Sequence, residues 1–437
     1  MYRAGAIAER RELLRESQWY SKAEIENEQF SRLRALLRHF QGSSQWFQSR
    51  LDAAGVSWQD VRGPADLKRL PIATRRELQQ AGDGLISQRV PTEHGGLLPF
   101  KTSGSTGRPL SVYRTDLNEI DRMAMILREH EWHQRDFSLR ECGIRSHAAG
   151  AIERPDWSQP VNLFHQSAPS LILPLSWDVV RLADAIRYFR PSYLQGFPSL
   201  LAGILTALAG DFDGLADLRE IRTGGEVLEP HLRQRLQEGF GVPVTDIYGA
   251  QEVGIIGCQC SSTAGYHVSS ELVLVEILRP DDRPCEVGEF GRVVITDLRN
   301  FATPIIRYEI GDYAEVAPPC SCGRGARSIT RILGRHRNLM VLPDGRVCWP
   351  RLGWLIREFE KTQRVTEYQL IQIAANEIEV HMVVEGAPGI KSERRFCALL
   401  EAMTSARFEL KFFYYRDAIP REGAQKWEDF RNLVSFG

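Results

Sequence analysis

Lys101-Thr102-Ser103-Gly104-Ser105-Thr106-Gly107-Arg108-Pro109-Leu110 places four hydroxyl side chains, two glycines and two basic residues in its first eight positions. A loop of this make-up can aim backbone N–H groups, hydroxyls and a guanidinium at a polyphosphate. It is not the loop that opens a helix beneath a nucleotide, because the glycine spacing differs and no Gly-Lys-Ser/Thr follows. Pro109 and the alternating run Leu110-Ser111-Val112-Tyr113 follow instead, and they read as a strand. The stretch therefore predicts a strand–loop–strand phosphate clamp. Taken alone it would equally suit a solvent-exposed turn, and the rest of the chain decides between the two.

The bulk properties bound the answer. A chain of 437 residues is too long for one ordinary core and predicts two or three domains. It is 43% hydrophobic and 25% charged with a formal net charge of −1, which gives no electrostatic case for nucleic acid or an anionic membrane as partner. No apolar run approaches the ~18 residues of a membrane-spanning helix. The N-terminus turns charged by Glu9, too early for a secretory signal, so a cytoplasmic location is expected. Eight cysteines in this length do not make a disulfide scaffold, and their clustering is more telling than their number.

Outward from the loop, Glu9 to about Gly55 reads as helical, with Phe30, Leu33, Leu36, Leu37 and Phe40 at helix spacing. Leu70-Pro71-Ile72-Ala73-Thr74-Arg75-Arg76-Glu77-Leu78 reads as a proline turn and a helix start, capped by Thr74 with Glu77 three residues on. Asp116 is expected to begin a helix with Glu119 as its partner. Helices and short apolar strands then alternate to Tyr248, which argues for a mainly parallel sheet with helices on its faces. From His267 the runs 268–278, 290–298 and 304–316 are β-rich and suggest a meander or small barrel. A boundary is expected near Gly334, followed by a compact α+β tail.

Three further stretches carry chemistry. Asp246-Ile247-Tyr248-Gly249-Ala250-Gln251-Glu252 ends a predicted parallel strand, the place where open α/β sheets bind ligands. Tyr248 and Gly249 would let a nucleotide approach the backbone, and Glu252 is a hard oxygen ligand for Mg²⁺ bridging phosphates. In Arg307-Tyr308-Glu309-Ile310-Gly311-Asp312 the aspartate is chemically apt to accept two hydroxyl donors. Cys258-Gln259-Cys260, His267 and Cys320-Ser321-Cys322-Gly323 group thiols with an imidazole, a donor set suited to tetrahedral Zn²⁺. Cys142, Cys285, Cys348 and Cys397 stand apart and read as packing residues.

The opening loop resembles the Thr-Ser-Gly-Thr/Ser-Thr-Gly-x-Pro signature of the adenylate-forming enzymes, that is acyl-CoA synthetases, adenylation domains and luciferases. Tyr248 to Glu252 is similar to their Tyr-Gly-x-Thr/Ser-Glu motif, with Gln251 in place of the hydroxyl residue. Thr223-Gly224-Gly225-Glu226 is similar to the turn that lines the adenine site. Arg307 to Asp312 resembles Arg-Tyr-Arg-Thr-Gly-Asp, whose aspartate holds the ribose hydroxyls, and Gly334-Arg335 matches a Gly-Arg that contacts ribose or phosphate. Ile419-Pro420-Arg421 through Lys426 resembles the segment that carries the catalytic lysine, with Gln425 where glycine is common. The Leu70–Leu78 segment points to the phenylacetate–coenzyme A ligase-like branch, although Arg75 stands where lysine is usual. That branch often shows Cys-x₆-His and Cys-x-Cys-Gly, which selects Cys260, His267, Cys320 and Cys322 as a structural zinc set; Cys258 in place of His267 is the competing set.

The resemblance implies an α/β fold: a large N-terminal part over residues 1–334 with a β-rich, zinc-bearing portion at about 258–325, and a mobile α+β lid over 335–437. It implies ATP bound by Thr102, Ser103, Gly104, Ser105, Thr106, Gly107, Gly224, Gly225, Glu226, Asp246, Ile247, Tyr248, Gly249, Gln251, Asp312 and Arg335, with Mg²⁺ on Glu252. Thr106, Glu252 and Lys426 are the expected catalytic residues. The implied reaction activates an aromatic or small acyl acid as an acyl-adenylate with loss of pyrophosphate, then transfers the acyl group to CoA. The segment 341–346 replaces the usual glycine-rich stretch, and so keeps an amine or carrier-protein thiol open as acceptor. A non-catalytic nucleotide-binding protein on the same fold is the reading from a different class. A homodimer is an admitted assembly, and neither nucleic acid nor a membrane is expected as partner.

Overall fold

The structure is a computed structural model that describes residues 2–101, 110–146, 148–335, 338–348, 350, 352–386, 389–416, 418–420 and 428–434. Its N-terminal layer is helical as the spacing predicts. Helix Lys22–Phe40 starts at a capping box in which the Ser21 hydroxyl takes the Glu24 N–H and the Glu24 carboxylate takes the Ser21 N–H. Phe30, Leu33, Leu36, Leu37 and Phe40 are buried along one stripe and pack with Leu274, Leu298 and Ile306. Burying each such side chain contributes about 1.5–3 kcal/mol, which fixes this layer to the β-rich half of the molecule.

Twelve strands form one continuous sheet. Its centre is parallel: Ser170–Pro174, Glu141–Arg145, Tyr193–Gly196, Glu220–Gly224 and Val244–Ala250 lie side by side in that order. Alternate residues face two cores. Cys142, Ile144, Leu194 and Ile221 pack under helices Val179–Phe189 and Pro198–Leu208, while Tyr193 and Tyr248 join the opposite core. The expected β-rich region is a meander, with Val273–Leu278, Phe290–Asp297, Tyr308–Val316 and Ser328–Arg335 paired antiparallel in chain order, and it forms the other half of this same sheet. Gly254–Gln259 pairs antiparallel with Val244–Ala250, and Tyr266–Val268, Ser328–Arg335, Tyr308–Val316, Phe290–Asp297 and Val273–Leu278 continue outward from it. Local alternation does not tell whether a meander stands apart or extends a neighbouring sheet; the pairing of Gly254–Gln259 with Val244–Ala250 and Tyr266–Val268 joins it here.

Helix Asp116–Trp132 begins at the expected residue, but its capping pair is Thr115 with Asn118 rather than Asp116 with Glu119. The cap is Thr115, whose N–H and hydroxyl both donate to the Asn118 side chain, while Asp116 accepts the Gly96 N–H. A four-stranded sheet follows in the tail, ordered Glu409–Tyr415, Glu377–Val384, Val365–Ala374 and Phe430–Asn432. Helices Leu352–Glu360 and Ile390–Thr404 cover it, and Leu355, Phe359, Leu370, Val380, Phe396 and Leu400 make its core. Tyr368 of this sheet reaches the N-terminal part, where its hydroxyl meets His231 Nε2 at 2.9 Å.

Candidate active site

Strands Leu97–Lys101 and Ser111–Thr115 pair antiparallel with Lys101 opposite Ser111, so they flank the stretch that opened the sequence reading. Positions 102–109, and with them Thr102, Ser103, Gly104, Ser105, Thr106 and Gly107, lie outside the described residues. The stem of the hairpin is anchored by Arg114. Its guanidinium stacks over the Phe100 ring at 4.3 Å and donates to the Gln251 carbonyl, so the hairpin base sits beside Glu252.

Glu252 is buried and ion-paired to Arg75 at 2.9 Å, with the Tyr308 hydroxyl 3.4 Å away. These residues come from three distant parts of the chain. The Leu70–Ala73 turn is stitched to the strand that follows Arg307: Ala73 N–H donates to Arg307 O at 2.8 Å, and Glu309 N–H donates to Ala73 O at 2.8 Å. Arg307 also forks onto the Glu276 carboxylate at 2.9 Å and donates to Leu70 O at 2.7 Å. Arg307 is thus a buried strut, and it sets where Arg75 meets Glu252. The Thr74–Glu77 capping box forms as expected and starts the short helix that carries Arg75.

The ribose side of the predicted site assembles as well. Tyr248 donates its hydroxyl to Asp312 Oδ2 at 2.9 Å across 64 residues of sequence. Asp312 stands opposite Arg335 in the strand pairing, which puts the Gly334-Arg335 backbone beside it. Gly225 takes a left-handed φ of 81°, and a Cβ there would come within 2.7 Å of the Phe197 ring. Only glycine fits this turn at the strand end. Glu226 accepts the Ser199 N–H at 3.2 Å, so the 223–226 turn is tied to the start of the neighbouring helix. Gly249 is equally tight, since an added Cβ would lie 2.8 Å from Gly254 O.

Asp246 departs from its expected place. Its carboxylate is fully enclosed and accepts from Thr223 Oγ1 and from the Tyr266 hydroxyl, each at 2.6 Å. Burial raises its pKa, and the two hydrogen bonds oppose that rise. Asp246 therefore holds the strand from inside rather than presenting oxygens at its mouth. Lys426 lies outside the described residues, as does the Arg335 side chain. Tyr308 as a contact to Glu252 is not among the residues expected from the sequence, where Arg75 stands out only as a departure from lysine. The signal for both was the co-occurrence of Leu-Pro-x-x-Thr-Arg and Arg-Tyr, but nothing local says that they meet.

Cys260, His267, Cys320 and Cys322 form a second cluster, with ligand atoms all within 4.8 Å of one another. Cys260 Sγ and Cys320 Sγ are 3.7 Å apart, and Cys322 Sγ is 3.2 Å from His267 Nε2. Burial disfavours the Cys260 thiolate, yet the Ser262 N–H, the Cys320 thiol and Thr263 outweigh it and hold its pKa below the ordinary thiol value. Burial and Arg324 bring His267 down to about 4, so its ring is neutral and able to offer a lone pair. His267 Nδ1 faces Ser328 Oγ at 3.4 Å, the outer contact that orients a ligating imidazole. Cys258 is not in the group. It sits inside its strand, where burial pushes its thiol up to about 12.

Comparison with known proteins gives consistent results. The family described as "AMP-binding enzyme" matches residues 97–298. The phenylacetate-coenzyme A ligase of Escherichia coli is 27% identical over 349 residues, covering 77% of each chain. That of Thermus thermophilus is 28% identical over 332 residues, covering 72% of this chain and 71% of its own. Among solved structures, a 2-hydroxyisobutyryl-CoA ligase in the postadenylation state overlays with a TM-score of 0.76 at 15% identity, covering 95% of this chain and 90% of that one. An open conformation of that ligase in complex with 2-HIB-AMP and CoA overlays at 0.62 with 16% identity, covering 95% of this chain and 92% of its own. The fold is that of these ligases, and residues 97–298 are similar to the AMP-binding enzyme family.

Proposed function

We propose that this chain, an adenylate-forming enzyme similar to the phenylacetate–CoA ligases, activates a carboxylic acid with ATP and passes the acyl group to CoA. The observation that carries the proposal is the convergence of Glu252, Tyr308, Tyr248 and Asp312 at one mouth of the sheet, from segments far apart in sequence. In the first half-reaction a carboxylate oxygen bonds to the α-phosphorus, the α–β phosphoanhydride bond breaks and pyrophosphate leaves. In the second, the CoA sulfur bonds to the acyl carbon, the carbon–oxygen bond to AMP breaks, and the thiol proton passes to the released phosphate or to solvent.

Asp312, aimed by the Tyr248 hydroxyl, accepts from the ribose hydroxyls and fixes the nucleotide in line with the acid. The hairpin loop carrying Ser103 and Thr106 donates to the departing pyrophosphate, and Lys426 adds an ammonium to that charge. Glu252 is the residue suited to hold Mg²⁺, which when bound neutralises phosphate charge. Arg75 serves as the counter-ion of Glu252 and holds this buried carboxylate in place. The tail from about residue 335 is read as the lid that closes for the first step and rotates for the second.

The Cys260, His267, Cys320 and Cys322 group fits a tetrahedral Zn²⁺ in ligand type and spacing. With four protein ligands it has no open position, so its work is to staple the loop after Gly254–Gln259 to the loop before Ser328–Arg335. An amine or carrier-protein thiol is the second reading for the acceptor. It is favoured by the tight hairpin Met340–Val341/Val347–Cys348, closed by Leu342 N–H to Arg346 O at 2.7 Å, where the family carries a glycine-rich stretch. Incubating the protein with ATP, Mg²⁺ and an acid library, then CoA, with mass-spectrometric detection, tests the proposal. Acyl-adenylates that convert to thioesters are expected; adenylates that persist with CoA but fall with amines favour the second reading, and no adenylate from any acid removes both.

A further inference from the structure

Arg145 ends the parallel strand Glu141–Arg145 on the sheet face opposite Cys142 and Ile144. Its guanidinium folds back over Gly143, where an added Cβ would lie 3.0 Å from Nη2, so the absence of a side chain at 143 makes room for it. Two hydrogen bonds hold it: Nη2 donates to Gln195 Oε1 on the adjacent strand, and Nη1 donates to Ile144 O at 3.3 Å. Among the described residues it has no ion-pair partner. The nearby carboxylates are already used: Glu141 pairs with Arg222 at 3.1 Å, Glu129 with Arg135 and Arg222 at 2.5 and 2.8 Å, and Glu220 with Arg135 at 2.7 Å. Burial, opposed by Glu141, lowers its basicity, yet both Arg145 and Gln195 keep accessible surface.

This pair stands beside the nucleotide turn. Gln195 is two residues before Phe197, whose ring packs against Gly225. The Gln195 carbonyl oxygen is taken by Arg145, so the amide presents only N–H groups outward, and Arg145 can only donate. Two donor heads at the carboxyl end of parallel strands call for an acceptor. Resting on the adenylation reading above, we infer that Arg145 with Gln195 selects acids that carry an oxygen acceptor remote from the carboxyl being activated. A second carboxylate is the best fit and a keto oxygen the next, because a charged donor without a counter-ion gains most from an anion. Arg145 binds the substrate's substituent and takes no part in the bond-making.

The test is acid-dependent exchange of labelled pyrophosphate into ATP with matched acids. These are pentanoate, 4-oxopentanoate and glutarate, and phenylacetate with its 4-carboxy derivative. Wild type is expected to favour the oxygen-bearing member of a set by about 10-fold or more in kcat/KM, the scale of a hydrogen bond to a charged group. Arg145→Met should collapse that ratio, chiefly through KM of the acid, and Arg145→Lys should restore part of it for the carboxylates alone. Gln195→Leu gives the same direction with a smaller effect and serves if Arg145→Met does not fold. Exchange with no substituent preference in wild type overturns this inference alone, as does an equal loss for both members in the variants. No exchange with any acid removes the adenylation reading and this inference with it.

Discussion

A tetrahedral metal chooses its ligands by reach as much as by softness. Sulfur atoms about 2.3 Å from one zinc are separated by slightly under 4 Å, and the 3.7 Å between Cys260 and Cys320 matches that. The sequence left two sets open because Cys258 and His267 are chemically interchangeable as ligands. The strand settles the matter: Cys258 remains within Gly254–Gln259, whereas Cys260 lies beyond its end and turns toward Cys320 and Cys322. Pure protein should therefore contain about one zinc per chain by metal analysis. Cys258→Ser should keep it in full, and His267→Ala or Cys320→Ser should lose it together with much of the thermal stability. Zinc-free native protein, or loss confined to Cys258→Ser, would contradict the assignment.

At the scale of elements, the strand ends were legible because turn chemistry is local. Thr223-Gly224-Gly225-Glu226 announces a strand-to-helix turn, and the structure makes it one, with Gly225 at φ 81° and Phe197 packed on it. Gly225→Ala should strain that turn by about 1–2 kcal/mol and push Phe197 aside, so KM for ATP is expected to rise about tenfold with a smaller change in kcat. An unchanged KM would mean the turn stands away from the nucleotide. What could not be read was how separate elements meet. Arg75 and Glu252 lie 177 positions apart, and Tyr248 and Asp312 lie 64 apart. Their pairing depends on the strand register and on the Arg307 strut, which no local pattern encodes. The same limit concealed Asp246, since the alternation that marks a strand does not reveal that Thr223 and Tyr266 close over its carboxylate.

For the whole molecule, the start of helix Pro230–Phe240 meets the tail sheet at a titratable contact. Tyr368 donates to Asp429 Oδ2 at 2.9 Å and faces His231 Nε2, while burial and Asp429 raise Glu229 to about 8. A raised carboxyl contributes stability that is full below its ordinary 4.5 and is lost as the pH rises toward 8. His231, lowered by burial to about 4, works in the other direction: its contribution is full above 6.5 and is lost as the pH falls. Stability should thus decline on raising the pH from about 6 to 9, and Glu229→Gln should flatten that limb; parallel melting curves for both proteins would contradict it. On the proposed lid motion, this contact would break or form as the acyl group passes from AMP to its acceptor. The proposed reaction is defined by which bonds are made in that passage. With the acid that turns over, labelled with ¹⁸O in its carboxylate, mass spectrometry of the products after reaction with ATP and CoA should find one ¹⁸O in AMP and none in pyrophosphate. Label in inorganic phosphate alongside ADP, or AMP formed without label, would contradict it.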